Sequence, residues 1–261
     1  MLAQDFLNQE GSARCQIGYA AGDMDEKYYQ AMRSRSLSER LVIAARDRIY
    51  DDFIRFCRPA PDDAILDVGV SDVVNDAANM LERKYPYPDR LTALGLGRGD
   101  QFRAAFPRTA YARIEPNQPF PFADKSFAIA TSNAVLEHVG SSADQAFFVA
   151  ELMRVARKVF VSVPNRHFPV EHHTAIPLLH FWDRSFAAAC RWFGKDEWAD
   201  EKNLILMTKG RLAALAPPRA VIDYTGLRLG PFSSNLMLFI EEARPTEGPP
   251  ASSGSALEGP E

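Results

Sequence analysis

The chain has little cysteine and no excess of basic charge. Its three cysteines, Cys15, Cys57 and Cys190, lie far apart and form no CxxC pair. Neither a disulfide framework nor a cysteine-based metal site is expected, and all three read as free thiols. A net charge of -4 gives no global field that would attract a phosphate backbone, so nucleic acid is not an expected partner. No apolar run approaches the roughly 18 to 20 residues of a spanning helix, and "MLAQDFLNQE" carries acids instead of an apolar targeting segment. No stable membrane insertion is expected, and a cytoplasmic location follows. The oligomeric state is not legible.

What is present suits one large core: 261 residues, 46% hydrophobic and 25% charged. Residues 1 to 34 have weak periodicity and read as an N-terminal arm, while the segment from 244 to 261, rich in Pro, Gly and Ser, reads as a disordered tail. Residues 35 to 243 then form the main domain. At Ser36 "SLSE" makes a capping box, and Leu41, Ala45, Ile49, Phe53 and Phe56 recur at helical spacing up to Pro59. Strand and helix alternate after it. "AILDV", "LTALGL", "AYARI", "FAIATS" and "KVFVSVP" read as strands; helices are expected through "NDAANMLERKY", after Asp100, and from a cap at Ser142. "AVIDYTG" and "NLMLFIEEA" are a candidate closing antiparallel pair. The pattern predicts an α/β fold, a Rossmann-like, mostly parallel seven-stranded sheet with helices on both faces. Its ligands would bind beyond the carboxyl ends of the strands. Residues 165 to 207 form an aromatic and histidine-rich insertion after the fifth strand, expected to make a lid or substrate wall.

The first strand ends in "LDVGVSD". Gly69 there permits a positive φ or a close approach, but Ser71 and Val73 stand where a dinucleotide fingerprint carries glycines. A nicotinamide or flavin dinucleotide is therefore not expected, which weighs against a dehydrogenase. A ligand without phosphates tolerates Ser71 better.

The segment "EPNQPFPFADKSFAIATSNAVLEHV" resembles class I S-adenosylmethionine-dependent methyltransferases, in particular the type 11 methyltransferase family. That family has an acid after its third strand, a "LPF.D.SFD" segment and a "S..VLEH" turn, matched here by Glu115, "PFPFADKSFA" and "SNAVLEHV". The resemblance covers residues 62 to 165 and implies S-adenosylmethionine as cofactor. Asp67, Gly69 and Ser71 would then shape its methionine and ribose side. Glu115, with Pro116 and Asn117, would meet the adenine or ribose, and Ser132 and Asn133 would line the methionine portion. The family's ribose-gripping acid near the second strand is replaced by Gly95, which leaves Asp100 as the nearest carboxylate, and Ala128 replaces the acid of "SFD".

His167, His172, His173 and His180 crowd the insertion, and His138 follows the fourth strand. No H-x-x-x-H or HExxH pattern appears, and adjacent His172 and His173 rarely face one ion, so no metal is expected. A general base for transfer to a hydroxyl is a role open to His138, His167, His172 or His173, against the plain alternative that they pack a pocket wall. The aromatics of the insertion either cover an apolar acceptor or close a core. The reading is methyl transfer to a small-molecule or lipid-like acceptor, with a hydroxyl preferred. The alternative is a degenerate methyltransferase fold that serves as a non-catalytic interaction module.

Overall fold

The computed structural model describes residues 37–74, 78–174 and 176–242. The expected arm, the Ser36 capping box, Cys15 and the C-terminal tail lie outside the described residues. Among those described, seven strands form one sheet in the order β3-β2-β1-β4-β5-β7-β6. The strands are β1 (Ile65–Val68), β2 (Leu91–Gly95), β3 (Ala110–Arg113), β4 (Phe127–Asn133), β5 (Ala156–Pro164), β6 (Val221–Leu229) and β7 (Phe232–Glu241). The first five run parallel, and β7 pairs antiparallel with both β5 and β6. The order reverses between β1 and β4, so the ligand-binding crevice of such a sheet lies beyond Val68 and Asn133.

Alternation along the strands builds two cores. Leu66, Ala130, Val159, Val161 and Leu238 face one side with Phe148, Val149, Leu152 and Val155 of α4 (Ser142–Val155). Ile65, Ile129, Phe160 and Met237 face the other, against α1 (Leu37–Cys57) and α2 (Met80–Lys84). Fully burying one such aliphatic or aromatic side chain contributes roughly 1.5–3 kcal/mol, so these central strands anchor everything attached to their ends. On α1 the buried stripe is Ala45, Ile49, Phe53 and Cys57, whereas Leu41 is 50% exposed. The helix leaves the sheet at its first turns, which corrects the expected stripe at that position.

Two further expectations are corrected by local chemistry. The helix read from residue 75 begins only at Met80, because Asn79 sits at φ 54 and stops the helix from extending backward; residues 75–77 lie outside the described set. The cap of α4 is Ser141, not Ser142: its hydroxyl accepts from the Asp144 backbone N–H, and the Asp144 carboxylate accepts from Ser141 N–H. The remaining helices are α3 (Asp100–Ala105), α5 (Asp183–Trp192) and α6 (Lys209–Leu215).

"PFPFAD" is pinned to α4 by Arg154 and Glu151. Arg154 donates to both Glu151 oxygens, to the Phe120 and Phe122 carbonyls and to Asp124, while Glu151 accepts the Phe120 N–H at 2.7 Å. The insertion has its own small core of Ile176, Phe186, Ala189, Cys190, Trp198 and Leu204. No helix among the described residues is long and apolar enough to cross a membrane.

Candidate active site

At the end of β1 the chain turns through Gly69 at φ +91, a conformation that favours glycine. A β-carbon there would lie 2.3 Å from Val135 Cγ2, so the turn and the loop after β4 are in direct contact across the switch point. The N–H groups of Gly69 and Val70 both donate to the Leu94 carbonyl, at 2.8 and 3.3 Å. Ser71 is buried. Its N–H donates to Asn79 Oδ1 and its carbonyl accepts from Asn79 Nδ2, both at 2.9 Å, while its hydroxyl accepts from Val73 N–H. Asn79 thus holds the turn where the fingerprint would place a further glycine.

Beneath the turn, Asp67 keeps some exposure, but burial and then the neighbouring Glu82 carboxylate raise its pKa well above the usual carboxylate range. Glu82, in α2, is itself raised, chiefly by burial, and neither of its oxygens meets an N–H or O–H donor. Burial and the like-charged neighbour both disfavour ionising the two carboxyls together. On the β4 side Ser132 is fully buried and donates to the Val68 carbonyl at 2.9 Å, tying β4 to the end of β1. Asn133 Oδ1 accepts from the Ser162 hydroxyl. Both residues shape the crevice from within the sheet.

The ends of β2 and β3 are organised by two residues not singled out in the sequence, Tyr111 and Asp72. Tyr111 of β3 lies against three glycines: a β-carbon at Gly95 would be 2.6 Å from its hydroxyl, one at Gly99 would be 2.4 Å from its ring, and its hydroxyl donates to Gly97 O at 2.9 Å. A side chain at Gly95 would occupy the volume that the Tyr111 phenol fills. Burial, then the Asp72 carboxylate, pushes the Tyr111 phenol up to about 12. Asp72 accepts from Gly99 N–H at 3.2 Å and Phe102 N–H at 3.0 Å, fastening the β1 turn to the start of α3. Asp100 faces outward to Arg98 at 3.1 Å. Glu115 is exposed beyond β3 and paired with Arg113 at 2.8 Å, with Pro116 and the left-handed Asn117 following. Gly95, Gly97 and Gly99 in "LGLGRGD", followed by a tyrosine in the next strand, were the signal available.

The insertion separates the four candidate histidines into two settings. His167 is exposed and lines an open recess of about 440 Å³ with Arg166, Phe181, Trp182, Arg184 and Thr208. His138 and His173 are packed together: their Nε2 atoms are 3.0 Å apart, His138 Nδ1 donates to the Asn203 carbonyl at 2.7 Å, and His173 Nδ1 donates to Glu171 Oε1 at 2.8 Å. Burial, then His173, pulls His138 down to about 3. His172 is drawn down to about 4, mainly by burial, and its Nε2 is buried with no hydrogen-bond partner. Burial alone would raise Glu171, but adjacent His173 and the bonds accepted from His173 and Thr174 more than offset it and hold the carboxyl well below its usual range. Glu137, 1% exposed beside them, is pushed up to about 7 by burial, with His173 opposing.

No family model matches the chain, and no curated protein matches it. Solved structures do. Magnesium protoporphyrin IX methyltransferase from Synechocystis PCC 6803, with bound S-adenosylhomocysteine, aligns at TM-score 0.53 and 10% identity over 92% of this chain and 97% of its own. A possible histamine N-methyltransferase from Thermotoga maritima aligns at TM-score 0.52 and 10% identity, over 85% and 98% of the two chains. The N-methyltransferase NodS from Bradyrhizobium japonicum WM9, also with S-adenosylhomocysteine, aligns at TM-score 0.51 and 11% identity, again over 85% and 98%. The chain has the fold of class I methyltransferases.

Proposed function

We propose that this protein is an S-adenosylmethionine-dependent methyltransferase whose acceptor, a small molecule or lipid-like compound, enters by the recess beside His167. The reading is carried by one observation: a left-handed glycine turn at the end of β1, open at the β1/β4 reversal of a β3-β2-β1-β4-β5-β7-β6 sheet. The residues fit the cofactor. Gly69 leaves a surface free of side chain at the crevice, and Glu115 presents an exposed carboxylate at the end of β3 that can accept an exocyclic amine N–H. In this assignment Asp67, Gly69 and Ser71 shape the methionine and ribose side, Pro116 and Asn117 offer backbone to the adenine, and Gly95 leaves room for Tyr111 where other chains place a ribose acid.

The bound cofactor supplies a sulfonium methyl and its own leaving group. The protein's part is to align the acceptor with that methyl and exclude water, so no protein nucleophile is needed. Phe181 and Trp182 supply apolar area for a lipid-like or aromatic acceptor, and Arg184 sits at the edge of the recess, where Arg166 is already paired with Asp183. Of the four candidate histidines, His167 is assigned the proton of an acceptor hydroxyl, because it is exposed at the recess. His138 and His173 are packed against each other with their Nδ1 atoms committed, and His172 Nε2 is buried.

Isothermal titration with S-adenosylmethionine and S-adenosylhomocysteine tests the reading. Saturable one-to-one binding is expected, lost in Gly69→Val while the circular dichroism stays near native. Absence of heat at millimolar ligand favours the non-catalytic interaction module, a reading supported by Tyr111 and Asp72 drawing the β2 loop tightly against the β1 turn.

A further inference from the structure

We propose that Glu137, His138 and His173 form a binding site for one divalent transition-metal ion of the zinc class. The turn after β4 supplies Glu137 and His138, and the insertion supplies His173, so the ion would clip the insertion to the sheet. One ligand atom from each residue lies within 4.8 Å of the others. The two Nε2 atoms are 3.0 Å apart and Glu137 Oε1 is 4.0 Å from His138 Nε2. Tetrahedral zinc with bonds of about 2.0–2.1 Å needs ligand separations of roughly 3.3 Å; the Nε2 pair stands close to that, and the Glu137 carboxylate would swing inward to meet the ion.

Counting protons strengthens the case. The Asn203 carbonyl and the Glu171 carboxylate only accept, so both imidazoles carry their proton on Nδ1. The two Nε2 atoms, the ring positions left for a ligand, face each other at 3.0 Å. Both Glu137 oxygens are buried beside them and meet no hydrogen-bond donor. A divalent ion satisfies all three groups at once.

The surroundings match those of metal-bound imidazoles. A ligating histidine usually donates its other N–H to a carboxylate or a backbone carbonyl, which fixes the ring and raises its basicity. Glu171 does this for His173, and Asn203 does it for His138. Two imidazoles and one carboxylate leave a fourth position open, the donor set of zinc sites that keep a water.

The experiment uses the full chain, stripped with a chelator and titrated with zinc chloride and, separately, cobalt chloride. One equivalent of zinc should bind at about 1 µM or tighter. Cobalt should give the visible d–d bands of a four-coordinate nitrogen and oxygen site. His173→Ala should abolish binding, and Glu171→Gln should weaken it by about 10–100-fold. Stoichiometric binding that is unchanged in His173→Ala, or no binding to the native chain, overturns the proposal. If the variants do not fold, the cobalt-loaded native protein still decides: two shifted exchangeable imidazole N–H signals are expected from the two Nδ1–H groups, and their absence refutes the site. None of these readouts depends on methyl transfer, so this test and that of the proposed activity succeed or fail separately.

Discussion

Replacing Gly69 with alanine isolates the turn that the whole site depends on. Two costs follow from the structure. The backbone stands at φ +91, where a residue with a β-carbon loses roughly 1–2 kcal/mol. The new methyl would meet Val135 Cγ2 at 2.3 Å, and overpacking of that kind typically costs about 1–3 kcal/mol. A total near 3 kcal/mol corresponds to a fall in Tm of roughly 6 to 12 °C for a domain of this size. The two parts separate by combining Gly69→Ala with Val135→Ala. Trimming valine removes the clash and leaves the backbone strain, so the double variant should be more stable than the sum of the singles by about 1–3 kcal/mol. Urea denaturation of all four proteins gives the coupling, provided m stays constant. Additivity within about 0.5 kcal/mol would show that the turn and the β4 loop are not in contact, and the crevice described here would have to be redrawn.

Other perturbations read other parts of the site. The Asp67 and Glu82 carboxyls have raised pKa values in the folded chain, so it holds more protons than the unfolded chain between about pH 4 and 7. Stability from this pair is fully present below the unfolded pKa values and is lost as pH rises through the folded ones. Glu82→Gln should therefore flatten the decline between pH 5 and 8 by on the order of 1–3 kcal/mol, measured as urea midpoints; identical slopes in the two proteins would exclude a shared proton. Asp72→Ala removes two acceptors that fasten the β1 turn to α3 and should cost about 1–2 kcal/mol. Hydrogen exchange should quicken at the Gly99 and Phe102 amides and stay unchanged in β5; protection at both amides equal to the native protein's would refute the tie.

The sheet was legible because burial on both faces leaves a signature that needs no partner information. "KVFVSVP" is apolar on alternate residues to both sides, and in the structure Val159, Val161 and Val163 enter one core while Phe160 enters the other. Local chemistry that depends on a single backbone angle was harder to see. The pattern from residue 75 to 85 is helical in composition, yet Asn79 spends its side chain on both backbone groups of Ser71, and the helix starts one residue later. The same residue explains how the turn persists without its second glycine: a bidentate amide holds in place a backbone that glycine would have made permissive. At α4 two serines competed, and the choice fell to Ser141 because Asp144 sits three residues beyond it, while Gln145 is drawn inward to donate to the Leu136 carbonyl. The histidines show the limit most plainly. Spacing rules for metal sites look for partners a helical turn apart, and neither "EHV" nor "EHHT" offers that. The pairing of His138 with His173 arises because the turn after β4 and the insertion after β5 leave adjacent parallel strands at the same end of the sheet. Thirty-five residues of separation in sequence vanish there, and what looked like a run of pocket-wall imidazoles resolves into one exposed ring beside the recess and two half-buried rings held face to edge.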